Sequence, residues 1–306
     1  MQAGAKKNPG IDIGADALRI AAPVTIKLKD SVKKPLFENK VEMGGAWKHS
    51  PFYMLKAAKQ SARTACRKLL DFLFPRRCLV CGAVNPDGKY GYVCPECEGE
   101  IHMMRGGHCL VCAEIVGMPD APNVPFCAKC AEHPPAFRRG MAVCVFDGAA
   151  RELVHELKYK STPAAVNDIA LIAKSHGEVA GYLKDSILVP VPLHRSRRRQ
   201  RKYNQSELIA RALAKNFAEE NVKICGMLAR IRKTGTQTML DREARAKNIK
   251  GAFKCIKRKC ESVPKNARIV LVDDVMTTTA TLSECAKELK KSGFKDVYAF
   301  AFAKRM

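Results

Sequence analysis

Apolar positions change their period along this chain. In residues 51–74, Leu55, Ala58, Ala62, Ala65, Leu69 and Phe72 recur at spacings of three and four, which predicts a helix, and Pro75 stops it. Residues 76–135 show little periodic apolar pattern and are rich in Cys, Gly and Pro. Such a stretch buries too little surface to fold unaided and needs staples. From Gly140 short apolar runs alternate with amphipathic stretches. Residues 141–146, 187–191, 268–272 and 296–303 read as strands, and 151–160, 205–218 and 281–292 read as helices. Leu208, Ile209, Ala212, Leu213 and Phe217 share one helical face; Leu282, Cys285, Ala286 and Leu289 share another. Strands alternating with helices predict an α/β domain over 140–306, with a mostly parallel sheet flanked by helices. Residues 1–50 hold no sustained period and are expected to be a poorly ordered extension, with Met43 and Met54 as alternative starts.

Composition adds bounds. The 306 residues suit two folded units. Apolar residues make up 47% and charged residues 27%, an ordinary balance for a chain with a sizeable core. There is no uninterrupted apolar run of about 18 residues, so no membrane span is expected. The first 14 residues lack an apolar signal-peptide core, which predicts a cytoplasmic protein. The formal net charge of +24 attracts polyanions: nucleic acid, anionic lipid or phosphorylated metabolites.

Fourteen cysteines ask for chemistry. A reducing compartment disfavours disulfides. Eight of the cysteines form four C-x-x-C pairs: Cys78 and Cys81, Cys94 and Cys97, Cys109 and Cys112, Cys127 and Cys130. Twelve residues separate the first two pairs and fourteen the last two. Two such turns at that distance are the ligand set of a structural zinc site, so 76–135 reads as a double zinc ribbon with one or two Zn²⁺. Four thiolates close the coordination sphere and leave no catalytic position. Redox-active dithiols are the rival reading. Pairing can be sequential or interleaved, and spacing does not decide it. His102, His108 and His133 lie near enough to replace a thiolate, though they suit plain surface positions better. Cys66, Cys144, Cys225, Cys255, Cys260 and Cys285 stand alone, with Cys144 and Cys285 on core faces.

The densest pattern is residues 269–282. A buried strand ends in Asp273 and Asp274, a hydroxyl-rich turn follows through Thr277, Thr278, Thr279, Ala280 and Thr281, and a helix begins. Free backbone amides and the positive helix end bind phosphate in such a turn. The two carboxylates stand at the reach of ribose hydroxyls. An ordinary helix cap after an acidic strand end would carry some of the same residues. The run resembles the loop that binds 5-phosphoribosyl 1-pyrophosphate (PRPP) in type I phosphoribosyltransferases. That family usually has Gly where this chain has Thr279, and Gly permits φ > 0 and close phosphate approach.

Two further segments extend the resemblance. Residues 187–195 form a strand entering a Pro-stiffened turn at Pro192, Leu193, His194 and Arg195, and resemble the pyrophosphate loop of the same fold. Six cations follow in 195–202; they could hold pyrophosphate, grip a nucleic-acid backbone or form a solvated face. The polar, basic segment with Arg230, Arg242, Arg245 and Asn248 stands where that fold has a mobile hood, and reads equally as an exposed loop. Together with Leu73 to Cys78, Leu157-Lys158-Tyr159, Val189 to His194, Asn204-Gln205, Arg242 to Asn248 and Leu271 to Val275, these pieces resemble the ComF family, including ComFC and GntX-like proteins, over roughly 66–303. The resemblance implies a type I phosphoribosyltransferase-like domain after a zinc ribbon. It also implies a link to competence and uptake of single-stranded DNA. As an enzyme, such a protein would bind Mg²⁺ with PRPP and transfer ribose 5-phosphate; Asp273 and Asp274 would hold the ribose hydroxyls and the turn the 5-phosphate. As a non-catalytic competence factor, it would bind single-stranded DNA and a helicase-like partner.

Overall fold

The computed structural model describes residues 76–84, 89–160, 162–233 and 248–306. The expected extension 1–50 and the helix 51–75 lie outside them. All described residues belong to one unit, Ala62–Met306. The cysteine block holds two short helices, α1 (Pro95–Gly99) and α2 (Ala128–Glu132), each beginning directly after the first cysteine of a pair.

The α/β part is built on five strands: β1 (Gly140–Val145), β2 (Ser186–Pro190), β3 (Lys223–Ile224), β6 (Arg268–Met276) and β7 (Val297–Lys304). They form one sheet in the order β1-β7-β6-β2-β3, and every pairing is parallel. A two-stranded antiparallel ribbon, β4 (Leu228–Arg230) with β5 (Phe253–Cys255), stands beside it. This is the mostly parallel α/β class that the alternation predicts.

Parallel strands are covered on both faces and so read as unbroken apolar runs. Successive residues of β6 and β7 alternate between two cores. Val270, Val272, Phe300 and Phe302 pack with α3 (Gly148–His155), α4 (Val166–Ser175), α5 (Val179–Leu183) and α7 (Gln205–Asn216). Ile269, Leu271, Val297 and Ala299 pack with β4, β5, α8 (Lys257–Glu261) and α9 (Ala280–Lys291). The cysteine block splits between them. Tyr90, Val93 and Ile101 join the first core, and Met104, Ala113 and Phe137 join the second. Asp168 on α4 clamps the first ribbon, accepting from Gly91 N at 3.0 Å and Tyr92 N at 2.7 Å.

Three local features differ from the periodicity. Strand β6 continues past Val272 to Met276, so Asp273 and Asp274 lie within the strand rather than at its end. The helix expected over 151–160 starts at Gly148 and changes at Glu156 to a π turn through Lys160. The charge run forms a helix, α6 (Arg195–Arg201), with no buried residue. No described helix is long and apolar enough to cross a membrane.

Candidate functional site

The eight paired cysteines gather into two clusters, Cys78/Cys81/Cys94/Cys97 and Cys109/Cys112/Cys127/Cys130, with the four Sγ atoms of each within 4.8 Å of one another. Pairing is therefore sequential, which spacing left open. The Cys81–Cys94 and Cys112–Cys127 sulfurs are 3.6 and 3.7 Å apart. Tetrahedral coordination with Zn–S bonds of about 2.3 Å needs sulfur separations of about 3.8 Å, so both sets fit a structural zinc. Cys94 N and Cys127 N donate to the Cys78 and Cys109 sulfurs at 3.5 and 3.3 Å, which orients the thiolates. The histidines stay out of both clusters. His102 and His133 are exposed, and His102 pairs with Asp147 at 2.8 Å. His108 departs from the surface expectation: it is buried, its amide donates to Asn123 Oδ1, and burial lowers its pKa.

A second site opens at the C-terminal ends of β6 and β2, where a parallel sheet exposes its loops. It is a cavity of about 620 Å³. Asp273, Asp274, Thr277, Thr279 and Thr281 line it from β6 and the following turn; Pro192 and Leu193 line it from the turn after β2. Arg197 and Arg201 of α6, Lys158 of the π turn, Gln205 and Ser206 of α7, and Arg230 of β4, the one of Arg230, Arg242 and Arg245 that lies among the described residues, also line it. Among the described residues, no hydrogen bond ties the amides of Thr277, Thr278, Thr279, Ala280 or Thr281 to a protein acceptor. The first-turn amides of α9 are thus available to an anion.

The two carboxylates are not equivalent. Asp274 is buried, and its Oδ1 meets Lys158 Nζ at 2.7 Å. Lys158 lies in the π turn, and such turns are frequent near functional sites. Asp274 Oδ2 and Gln205 Oε1 are buried acceptors with no donor among the described residues. Both residues line the cavity, but these two oxygens are themselves shielded from it, so a donor reaches them only as an enclosed water or after a local shift. Asp273 Oδ1 accepts from Ser206 Oγ at 3.0 Å and from Asp274 N at 2.9 Å. Burial, and then the adjacent Asp274 charge, push Asp273 up to about 7 against the opposing pull of Lys158.

A family model for a double zinc ribbon domain matches residues 69–131. DNA utilization protein YhgH of Salmonella typhimurium (strain LT2) is 30% identical over 235 residues, covering 70% of this chain and 97% of that protein. The chain belongs to the ComF family. Competence protein F of Haemophilus influenzae is 25% identical over 228 residues, 70% of this chain and 98% of that protein. Competence protein ComFC of Bacillus subtilis is 23% identical over 216 residues, 69% of this chain and 81% of that protein.

Within this ComF chain the residues singled out by motif divide. Asp273, Asp274, Thr277, Thr279, Thr281, Pro192 and Leu193 face one cavity, whereas Thr278, Ala280, His194 and Arg195 are not on its wall. His194 instead caps α6, its Nδ1 accepting from Ser196 N at 3.3 Å. Arg242 and Arg245 lie outside the described residues. Asn248 is off the cavity wall, and its carbonyl accepts from Arg232. Lys158, Ser206, Arg197 and Arg201 enter the site without having been assigned a role individually. Leu157-Lys158-Tyr159 was visible as a family string, but nothing local says that Lys158 meets an acid 116 positions later.

The backbone at Thr279 shows why a Gly suits this position. Its φ is +59°, the left-handed region that Gly adopts freely and a β-branched residue adopts at a cost of about 1–2 kcal/mol. Thr279→Gly relieves that strain but frees the unfolded chain by about 0.4–1 kcal/mol. The expected net gain is about 0.5 kcal/mol, read as a small rise in the urea midpoint. A loss of more than about 1 kcal/mol would show that the Thr279 side chain holds the turn.

Proposed function

We propose that this ComF-family protein binds PRPP with Mg²⁺ in the β6 cavity and transfers or senses ribose 5-phosphate. The observation that carries the reading is that one cavity is lined both by the acid pair Asp273 and Asp274 and by the turn whose 277–281 amides are uncapped. The first group suits ribose hydroxyls, and the second suits the 5-phosphate. Arg197 and Arg201 line the same cavity as Pro192 and Leu193 and would hold pyrophosphate. Magnesium would arrive with the pyrophosphate as part of the substrate and neutralise its charge. Pentosyl transfer develops positive charge at the sugar, so the protein's task is positioning and electrostatic stabilisation by Asp273 and Asp274. The division into a double zinc ribbon over 76–135 and a phosphoribosyltransferase-like domain over 140–306 belongs to the same proposal. The names of two relatives, DNA utilization protein YhgH and competence protein F, support a role in DNA utilization and competence.

One observation favours a non-catalytic variant of this reading. Lys158 already neutralises Asp274, which would weaken its support of a cationic transition state. The protein would then sense the ligand, while the exposed helix α6 grips single-stranded DNA or a helicase-like partner. Thermal unfolding tests the PRPP binding that both cases share. Mg²⁺-PRPP is expected to raise the melting temperature, by about 2.7 kcal/mol of stabilisation at a hundred times Kd, and the double variant Asp273→Asn/Asp274→Asn is expected to abolish the rise. No rise in the unaltered protein would remove the PRPP proposal. Salt-sensitive binding of single-stranded DNA without a PRPP response would leave the competence-factor reading.

A further inference from the structure

The phosphate turn is tied to the second cysteine cluster through a buried lysine. Lys304 is the last residue of β7, and only 3% of its side chain is exposed. Its Nζ donates to Thr277 O, at the start of the turn, at 3.3 Å, and to Arg305 O at 2.7 Å. It pairs with Glu114 Oε2 at 3.0 Å. These three partners match the three donors of an ammonium group.

Glu114 belongs to the ribbon, two residues beyond Cys112. Its carbonyl accepts from Cys109 N at 2.9 Å, so the cysteine knuckle fixes its backbone. Its other carboxylate oxygen receives Lys129 Nζ at 2.9 Å, between Cys127 and Cys130. Two more ties join the same bodies. Ala136 N donates to Ser283 Oγ on α9 at 3.0 Å. Gly140 lets the ribbon approach the sheet: a Cβ there would lie 2.7 Å from Val111 O and 3.2 Å from Met276 Cε, next to the turn.

We infer that the second zinc centre, acting through Glu114 and Lys304, holds the 277–281 turn in its ligand-ready form, with Lys304 as a positioning residue. The turn contains the strained Thr279, and a strained conformation persists only where its surroundings over-determine it. A buried ammonium carries a desolvation cost that an apolar residue closing β7 would avoid. Its partners here are a carboxylate from the metal knuckle and a carbonyl of the turn, so the charge fixes one body against the other. The inference rests on the function proposed above, since it names what orders the same site.

The test uses the full chain and its Lys304→Met, Lys304→Arg and Glu114→Gln variants. Zinc content, Mg²⁺-PRPP affinity and hydrogen exchange at the Ser283 and Arg305 amides, which donate to Thr279 O within the turn and Met276 O beside it, are measured for each. Lys304→Met is expected to keep two zinc ions, bind PRPP about tenfold or more weakly, the loss typical of removing an outer-shell support, and exchange those amides faster. Lys304→Arg should recover most of the affinity, and Glu114→Gln should move both readouts the same way by a smaller factor. Unchanged affinity and exchange in Lys304→Met overturn the inference. So does weakened affinity with unchanged exchange, which would mean a direct charge effect on the ligand. Should Lys304→Met fail to fold, Glu114→Gln decides by the same criteria. If the unaltered chain binds no PRPP, the functional proposal fails, while the exchange arm still decides whether the ribbon holds the turn.

Discussion

Replacing Cys97 with serine is expected to release one of two zinc equivalents and to unfold the first ribbon from the sheet. Cys97 is buried, and its cluster shares a core with Tyr90, Val93, Leu153 and Ile169. The ribbon has few apolar residues of its own, so metal binding is its folding energy. Structural zinc sites are worth about 10–16 kcal/mol in isolated peptides at neutral pH, and losing one of four thiolates forfeits a large share. The Asp168 clamp alone supplies two charge-assisted hydrogen bonds, about 3–6 kcal/mol together, and cannot compensate. Metal analysis should give one zinc per chain, and limited proteolysis should cut between residues 76 and 104. Two zinc ions with an unchanged melting temperature would refute the assignment of Cys97 as a ligand.

Asp273→Asn is expected to stabilise the ligand-free protein at pH 8 while eliminating its response to Mg²⁺-PRPP. The folded-state pKa of about 7 lies above the ordinary 3.8. A raised acid works against folding when ionised. Its penalty is absent below about pH 4, grows through the interval up to about 7, and is complete above it. Three pH units correspond to about 4 kcal/mol as an upper bound, and the new amide offsets part of the gain, so about 2–3 kcal/mol is expected at pH 8 and none near pH 4. Asn retains a carbonyl to accept from Ser206 Oγ and Asp274 N. A variant that gains stability and loses its ligand marks a site where charge repulsion is retained for binding. Denaturant curves at pH 5 and 8, with and without PRPP, read both effects. Lower stability than the parent at pH 8 would sink the electrostatic account.

How much was legible varied with the range of the interaction involved. The four C-x-x-C pairs were readable because each knuckle is local. Their sequential grouping required coordinates, since both pairings satisfy the same spacing. The acid pair and threonine turn were readable as one continuous run. That β6 carries the acids inside the strand was not, because Asp is a poor strand former and only pairing with β7, Asp273 against Ala301 and Val275 against Ala303, overrides that preference.

The sequence by itself determined the α/β class, the four cysteine pairs and the threonine-rich turn after the acid pair, because each is written in neighbours or in a short period. Only the tertiary structure decided that Lys158 meets Asp274, that Ser206 supports Asp273, and that Lys304 joins Glu114 to Thr277. Those contacts join residues on different elements, and which elements meet depends on how the whole chain buries its apolar faces. A lone lysine in a strand or turn carries no local mark of the carboxylate that packing will bring to it.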